Sequence, residues 1–349
     1  MFAIHYRSLL ALVLAAALAS CASLPTDYPR ESSEAFQDHQ DTLIGGRVAK
    51  GAAQHPGKSG FALLRHGRPA FTGRIAFTAL AEKTLDVQYY IWEDDATGHI
   101  LAQRLLEAAD RGIRVRVLLD DINLKGRDDH IAALDAHPNI EIRLFNPFAH
   151  RSARALDFIV DFGRVNHRMH NKLIVMDNAF AIVGGRNIGN HYFQVDEHAN
   201  FRDLDIVAAG PVVREISSVF DHFFNGEWSI PIAALVDKPQ TAQDLQEARS
   251  AQAKMIASEN YPHPLDQDVA ELSVEITDMV DKLIWAPGRV IWDDPKSIQE
   301  PGSTSRMQEA LHKRVARLEE ELLIESAYFV VRARALDALR TLSERGVRV

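Results

Sequence analysis

From about Ser59 the apolar positions recur with two periods, one helical and one of strands. Residues 72 to 83 (TGRIAFTALAEK) read as a helix, and residues 84 to 92 (TLDVQYYIW) as a β-branched, aromatic strand with partial alternation. Ile100, Leu101, Leu105, Leu106 and Ala109 mark one face of a helix over 98–112, stopped at Gly112. Residues 113 to 119 (IRVRVLL) give a second strand, 128 to 137 a helix, and 140 to 145 (IEIRLF) a third strand. This strand–helix alternation predicts parallel βαβ units. The rhythm then breaks. HNKLIVMD (170–177), Asn178 and AFAIVGG read as a hairpin closed by an Asp-Asn turn. A strand over 201–208 (FRDLDIVA) and a helix near 212–224 follow. Amphipathic helices are predicted at 240–258 and 305–321, with a Pro-containing stretch between them.

The pattern repeats. LDVQYYI (85–91) and IESAYFV (324–330) both carry an acid at the second position and paired aromatics at the fifth and sixth. Each precedes a Leu-rich helix ending in Arg-Gly, which predicts a duplicated α/β lobe. In the second copy Tyr328 matches Tyr89. The histidine corresponding to His170 would then fall past residue 349, so the second copy is expected to be truncated.

HNKLIVMD puts charge on an apolar run. On a strand, His170 and Lys172 would share one face, and a core strand tolerates such a pair only where it meets a polar cleft. An ammonium beside an imidazole suits an anionic substrate: the cation draws a phosphate and the neutral nitrogen attacks phosphorus. Asp177 closes the run at the turn. Gly184-Gly185-Arg186-Asn187 follow, glycines that allow close backbone approach and an amide that can donate to a phosphate oxygen.

His-x-Lys-x4-Asp, six residues, then Gly-Gly-x-Asn resembles the signature of the phospholipase D superfamily at every position from His170 to Asn187. DVQYYIWEDD (86–95), RGIRVRVLLDDI (111–122), GGRNIGNHYF (184–193) and FRDLDIVAAGPVV (201–213) are similar to the bacterial cardiolipin synthase-like branch. The resemblance implies an α/β fold: a phospholipase D-like lobe with a mixed, mostly parallel sheet flanked by helices, plus the start of a second lobe. It implies catalysis through a phosphohistidine by His170, as the nucleophile or its general-acid counterpart, with Lys172 and Asp177, the last more structural than reactive. It also implies phosphate binding by Lys172, Asn187 and Gly185, and a downstream acid that orients the imidazole. Asp203 is the candidate for that acid, with Asp205 as the alternative. No metal and no other cofactor are expected. Tyr89, Tyr90 and Trp92 read as core or cleft-wall aromatics, and Asp120-Asp121 as a cleft edge or an ordinary solvated turn.

Composition changes the picture at two points. Among 349 residues the net charge is −9, which counts against a nucleic-acid partner. The single cysteine, Cys21, follows an 11-residue apolar run (9–19) in Leu18-Ala19-Ser20-Cys21, which resembles the lipobox of bacterial lipoproteins. The resemblance implies acylation at Cys21 and a chain anchored in the bacterial cell envelope, with Ala22 favouring the outer membrane.

The expected organisation is a signal peptide (1–20), a tether (21–58), a first lobe (59–230) with its motif at about 165–192, a helical and loop connection (231–317) and the truncated second lobe (318–349). The expected activity is phosphatidyl transfer or phosphodiester hydrolysis on phospholipids. A non-catalytic remnant that binds phosphate, and a metal-independent secreted nuclease, stay open beside it. Self-association through the exposed lobe edge is a further expectation.

Overall fold

The computed structural model describes residues 23–349 except 197, 260, 263–267, 300–304, 327–328 and 332. The expected signal peptide, Cys21 and Tyr328 therefore lie outside the described residues. Two compact units appear, Met1–Arg289 and Val290–Val349.

In the first unit, α1 (Leu43–Gln54) precedes β1 (Ser59–Leu64), α2 (Gly67–Leu80), β2 (Thr84–Tyr89), α3 (Ala96–Asp110), β3 (Arg114–Asp120), α4 (Asp128–Asp135) and β4 (Ile140–Phe145). Two single turns, α5 (Asp157–Val160) and α6 (Phe162–Val165), lead to the hairpin β5 (Leu173–Met176) and β6 (Phe180–Gly184). Then come β7 (Asp205–Ala209), α7 (Pro211–Phe224), β8 (Ser229–Pro231), α8 (Ala242–Ser258), α9 (Val269–Asp281) and β9 (Ile284–Ala286). The nine strands form one sheet, ordered β8-β4-β3-β2-β5-β6-β7-β1-β9.

The sheet is mixed and flanked by helices, but its balance differs from expectation. Only β2–β3 and β3–β4 run parallel; the other pairings among the described strands are antiparallel. The βαβ logic holds for β2 to β4, where a helix supplies each crossover. The hairpin then returns β5 antiparallel beside β2, and every later strand enters by a reversal. Asp177 and Asn178 adopt φ of 52° and 50° in that hairpin, as a turn with two left-handed residues requires.

Both faces of the sheet are covered, so the charged residues that alternate through β2, β3 and β4 need partners. Leu85 and Val87 of β2 face α2 and α3, while Asp86 faces α7 and meets Arg116 directly opposite on β3. That buried pair, 2.7 Å apart, explains the acid inside LDVQYYI. Arg116 also stacks on Phe220 and Phe224 and donates to the carbonyl of Ser33.

The stretch expected as a tether is partly built into the fold. Arg143 donates to Glu31 O at 2.7 Å, Asp221 accepts from the amide of Ala35, and α1 buries Ile44 and Val48. The expected connection likewise contributes β9 to the sheet and α9, which was not foreseen, to the helical layer. No helix of the described residues is long and apolar enough to cross a membrane.

In the second unit, α10 (Arg306–Val315) and α11 (Ala333–Glu344) form, and Leu342 and Val347 are buried. The helix expected over 305–321 ends at Val315. The strand expected at 324–330 is absent among the described residues. A strand exists through its ladder partners, and here the one nearby bridge is Glu321 to Arg348.

Candidate functional site

β5 runs antiparallel to β2, so the residues entering β5 lie beside those leaving β2. The strand begins at Leu173; His170, Asn171 and Lys172 precede it instead of lying on it, because β2–β5 pairing stops at Gln88–Leu173. Side chains take over where the ladder ends. The Asp120 carboxylate accepts from Met169 N at 2.7 Å, and the Gln88 amide meets Met169 Sδ at 2.8 Å.

His170 and Lys172 still converge, by a different route from the shared strand face. The Lys172 ammonium donates to the carbonyl oxygen of His170 at 2.8 Å, and its side chain is only 5% exposed. Both groups lie over Tyr90: the His170 ring centroid is 4.7 Å from the tyrosine ring's and the Lys172 nitrogen 5.3 Å from it. Desolvation, then the neighbouring ammonium, lowers the His170 pKa, while Asp203 opposes the shift. Desolvation lowers Lys172 to about 8, and the fields of Asp203 and Asp120 hold it there. At neutral pH the site thus offers a neutral, exposed imidazole beside a sunken cation.

Asn187 is buried, with Oδ1 accepting from Ile91 N at 3.1 Å and Nδ2 donating to the Tyr192 hydroxyl at 2.8 Å. One of its amide protons is thereby left for another acceptor.

The two glycines serve a purpose that sequence reasoning missed. A Cβ on Gly185 would sit 2.0 Å from Asp203 Oδ1, and one on Gly184 2.1 Å from Asp205 Oδ1. They make room for two carboxylates of the neighbouring chain segment, where close approach to a ligand was expected. Asp203 is thereby brought into the cluster; its carboxylate accepts from Leu204 N at 2.8 Å and makes no hydrogen bond to the His170 ring among the described residues. Asp205, the alternative orienting acid, is fully buried in ion pairs with Arg74 at 2.9 Å and Arg186 at 3.5 Å. It holds α2 and the Gly-Gly corner together.

Asp177 lies at the far end of β5 from His170. Its carboxylate accepts from the amides of Glu82, Lys83 and Thr84 at 3.0, 2.8 and 2.8 Å, tying the hairpin turn to the start of β2. That is a structural role, and it removes Asp177 from the reacting group.

Asp120 and Asp121 are fully buried, so the solvated-turn reading is corrected. Burial pushes Asp120 up to about 6 against the pull of Arg168, which it meets at 3.0 Å. Asp121 receives Phe148 N at 2.9 Å and Arg154 at 2.9 Å, and pairs with Arg151, which also grips Asp128. Together the two acids fix the chain between β4 and β5. Their signal was the pair itself, at the end of an apolar strand.

A helix-flanked mixed sheet that presents a His-x-Lys pair and a buried asparagine at one end defines a phospholipase D-type scaffold. Residues 75–228 match the family model for a cardiolipin synthase, PLD-like domain. The chain carries a phospholipase D-like domain of the cardiolipin synthase kind over that stretch. It is 39% identical over 302 residues to cardiolipin synthase C of Escherichia coli K12, covering 85% of this chain and 63% of that one. It is 33% identical over 186 residues to a cardiolipin synthase of Geobacillus kaustophilus, covering 52% and 35%. The chain thus spans less than two thirds of these relatives' length. Phosphatidylserine synthase of Haemophilus influenzae has the same fold, with a TM-score of 0.54 at 15% identity over 88% of this chain and 65% of that one.

Proposed function

We propose that this chain carries one catalytic half of an enzyme that cleaves or transfers phosphodiesters of phospholipids, as cardiolipin synthases do. The observation that carries the reading is the Lys172 ammonium fixed on the carbonyl of His170, beside an exposed ring. Lys172 and Asn187 would hold the nonbridging oxygens, and a neutral His170 nitrogen would attack phosphorus. A P–N bond forms as the P–O bond to the leaving alcohol breaks, and the leaving oxygen takes a proton. An incoming hydroxyl, from water or a second lipid, then attacks phosphorus, releases the imidazole and gives up its own proton. Asp203 would set the ring's orientation, with its field on both groups.

One imidazole cannot attack phosphorus and protonate the leaving oxygen in the same step. The full reaction therefore calls for a second donor, from a longer chain or a second copy. Anchoring through Cys21 in the cell envelope belongs to the same proposal and rests on the sequence of residues 9–22.

Two measurements test the reading. In cells, the chain extended by a second lobe should raise cardiolipin, and His170→Ala should abolish the rise. In vitro, incubation of the same extended chain with a phosphodiester should leave an acid-labile phosphate on the wild type and none on His170→Ala. Unchanged lipids together with no labelled protein would remove the catalytic reading and leave phosphate binding alone.

A further inference from the structure

The chain between β4 and β5 carries a row of large apolar side chains that the reaction chemistry does not use. Phe158, Ile159, Val160 and Phe162 are 41, 78, 58 and 57% exposed, four large hydrophobics within five residues. Soluble surfaces show such residues singly; a contiguous set marks an interaction site. The segment is not a loose loop. Asp157 is buried and pairs with His150, Phe158 packs on buried Phe148 at 5.4 Å, and Val165 is fully buried. Asn146 Nδ2 donates to the carbonyls of Arg164 and His167 at 2.9 and 2.6 Å, which ties the segment to the approach to His170. The framework beneath is fixed, and Ile159 and Val160 project from it.

Position says what they meet. The end of β4 and the start of β5 lie at the same end of the sheet as the end of β6 and the start of β7. From the β7 side rise Phe201 and Leu204, 46 and 45% exposed. In the strand order, β5 with His170 at its head lies between the two apolar groups. An imidazole flanked on both sides by exposed aliphatic and aromatic tips suits a reacting atom that lies at the boundary of water and hydrocarbon, where a phospholipid carries its phosphate.

We propose that residues 158–162, with Phe201 and Leu204 opposite, are a lipid-docking rim that sets the His170 cleft down on a bilayer surface. The inference rests on the phospholipid reading for its occupant, and its test does not depend on turnover.

Cys21 is the chain's sole cysteine, so Cys21→Ser leaves a background for single labelling. In that background with His170→Ala, an environment-sensitive fluorophore is placed at Ile159→Cys or, at the opposite end of the sheet, at Lys83→Cys. Vesicles of phosphatidylglycerol and phosphatidylethanolamine are added, with and without nitroxide-labelled acyl chains. The label at 159 should shift to the blue and be quenched by the nitroxide lipid, while the label at 83 stays in water. Ile159→Asp with Val160→Asp, on exposed positions, should keep the near-ultraviolet circular dichroism. It should lower vesicle affinity about tenfold for each apolar side chain lost.

A label at 159 that stays in water while the protein pellets with vesicles would overturn the rim. So would failure to pellet, or a blue shift that grows with protein concentration without lipid, which would mean a second copy covers these residues. A rim that binds on a chain that forms no phosphohistidine would sink the catalytic reading and leave this one standing.

Discussion

Lys172 and His170 are wired in opposite senses to pH. The imidazole attacks only when neutral, and its lowered pKa extends that form below the range of a free histidine. The ammonium holds phosphate only when charged, and its pKa of about 8 means that form is lost soon above neutrality. For kcat/KM of the unbound enzyme the expected profile is a bell, with an acid limb below the usual histidine range and an alkaline limb near pH 8. Lys172→Arg keeps a charge through the alkaline range, so whatever activity it retains should lose that limb. An alkaline limb unchanged in Lys172→Arg would assign it to another group. Here the sequence spoke clearly about which side chains meet. It was silent on how, since the meeting depends on a backbone carbonyl, and a carbonyl has no letter.

At the scale of elements, the junction of β6 and β7 separates two glycines that look alike in the motif. A methyl group on Gly184 would run into the backbone of Leu204 and Asp205 as well as the Asp205 carboxylate, which two arginines hold fast. The atoms nearest a methyl group on Gly185 all belong to the side chain of Asp203, which can turn away. Gly184→Ala should therefore cost about 3 kcal/mol or more, by breaking a buried ion pair, and give little soluble protein. Gly185→Ala should fold with a melting temperature near the wild type and lose activity as Asp203 leaves the cluster. Equal stability of the two variants in thermal melts would contradict this account.

The strands themselves were legible because IEIRLF, IRVRVLL and TLDVQYYIW set β-branched, leucine or aromatic positions against charged or polar ones at the strand period. The parallel or antiparallel sense of later pairs was not, because composition does not record direction. Helix α9 was hidden by the proline-bearing flank at 262–264, and its buried residues Leu272, Ile276 and Val280 are few.

For the molecule as a whole, the boundary between fold and tether lies further toward the N-terminus than composition suggests. A polar, Ser- and Asp-rich stretch reads as linker because it buries little of its own. Residues 31–35 nevertheless offer carbonyls to Arg116 and Arg143, two buried guanidiniums that β3 and β4 carry into the core. A chain starting at Ser59 would take one carbonyl acceptor from each cation, leaving Arg116 on Asp86 and Arg143 on Phe224 O, and uncover the layer that α1 protects. It is expected to melt well below one starting at residue 23, by about 1–3 kcal/mol for each acceptor lost in addition to the uncovered layer. Equal melting temperatures for the two chains would show that the segment is dispensable. The same whole-molecule view explains why the repeat was visible as a pattern but not as a strand. Pattern is local, whereas a sheet needs neighbours, and among the described residues of 324–330 none pairs in a ladder, the nearby bridge being Glu321–Arg348.

The nested carboxylates also bear on how such a chain can change over generations. Asp203 and Asp205 occupy the volumes that side chains at 185 and 184 would need. In the Gly184–Asp205 couple neither residue can vary first without a clash or an empty hole, whereas at Gly185 the Asp203 side chain can turn aside. The two couples, each spanning about twenty residues of chain, are therefore inherited under different constraints. A lineage that abandons the reaction should lose the Gly185–Asp203 couple while keeping Gly184 with Asp205, because the second couple is needed simply to fold.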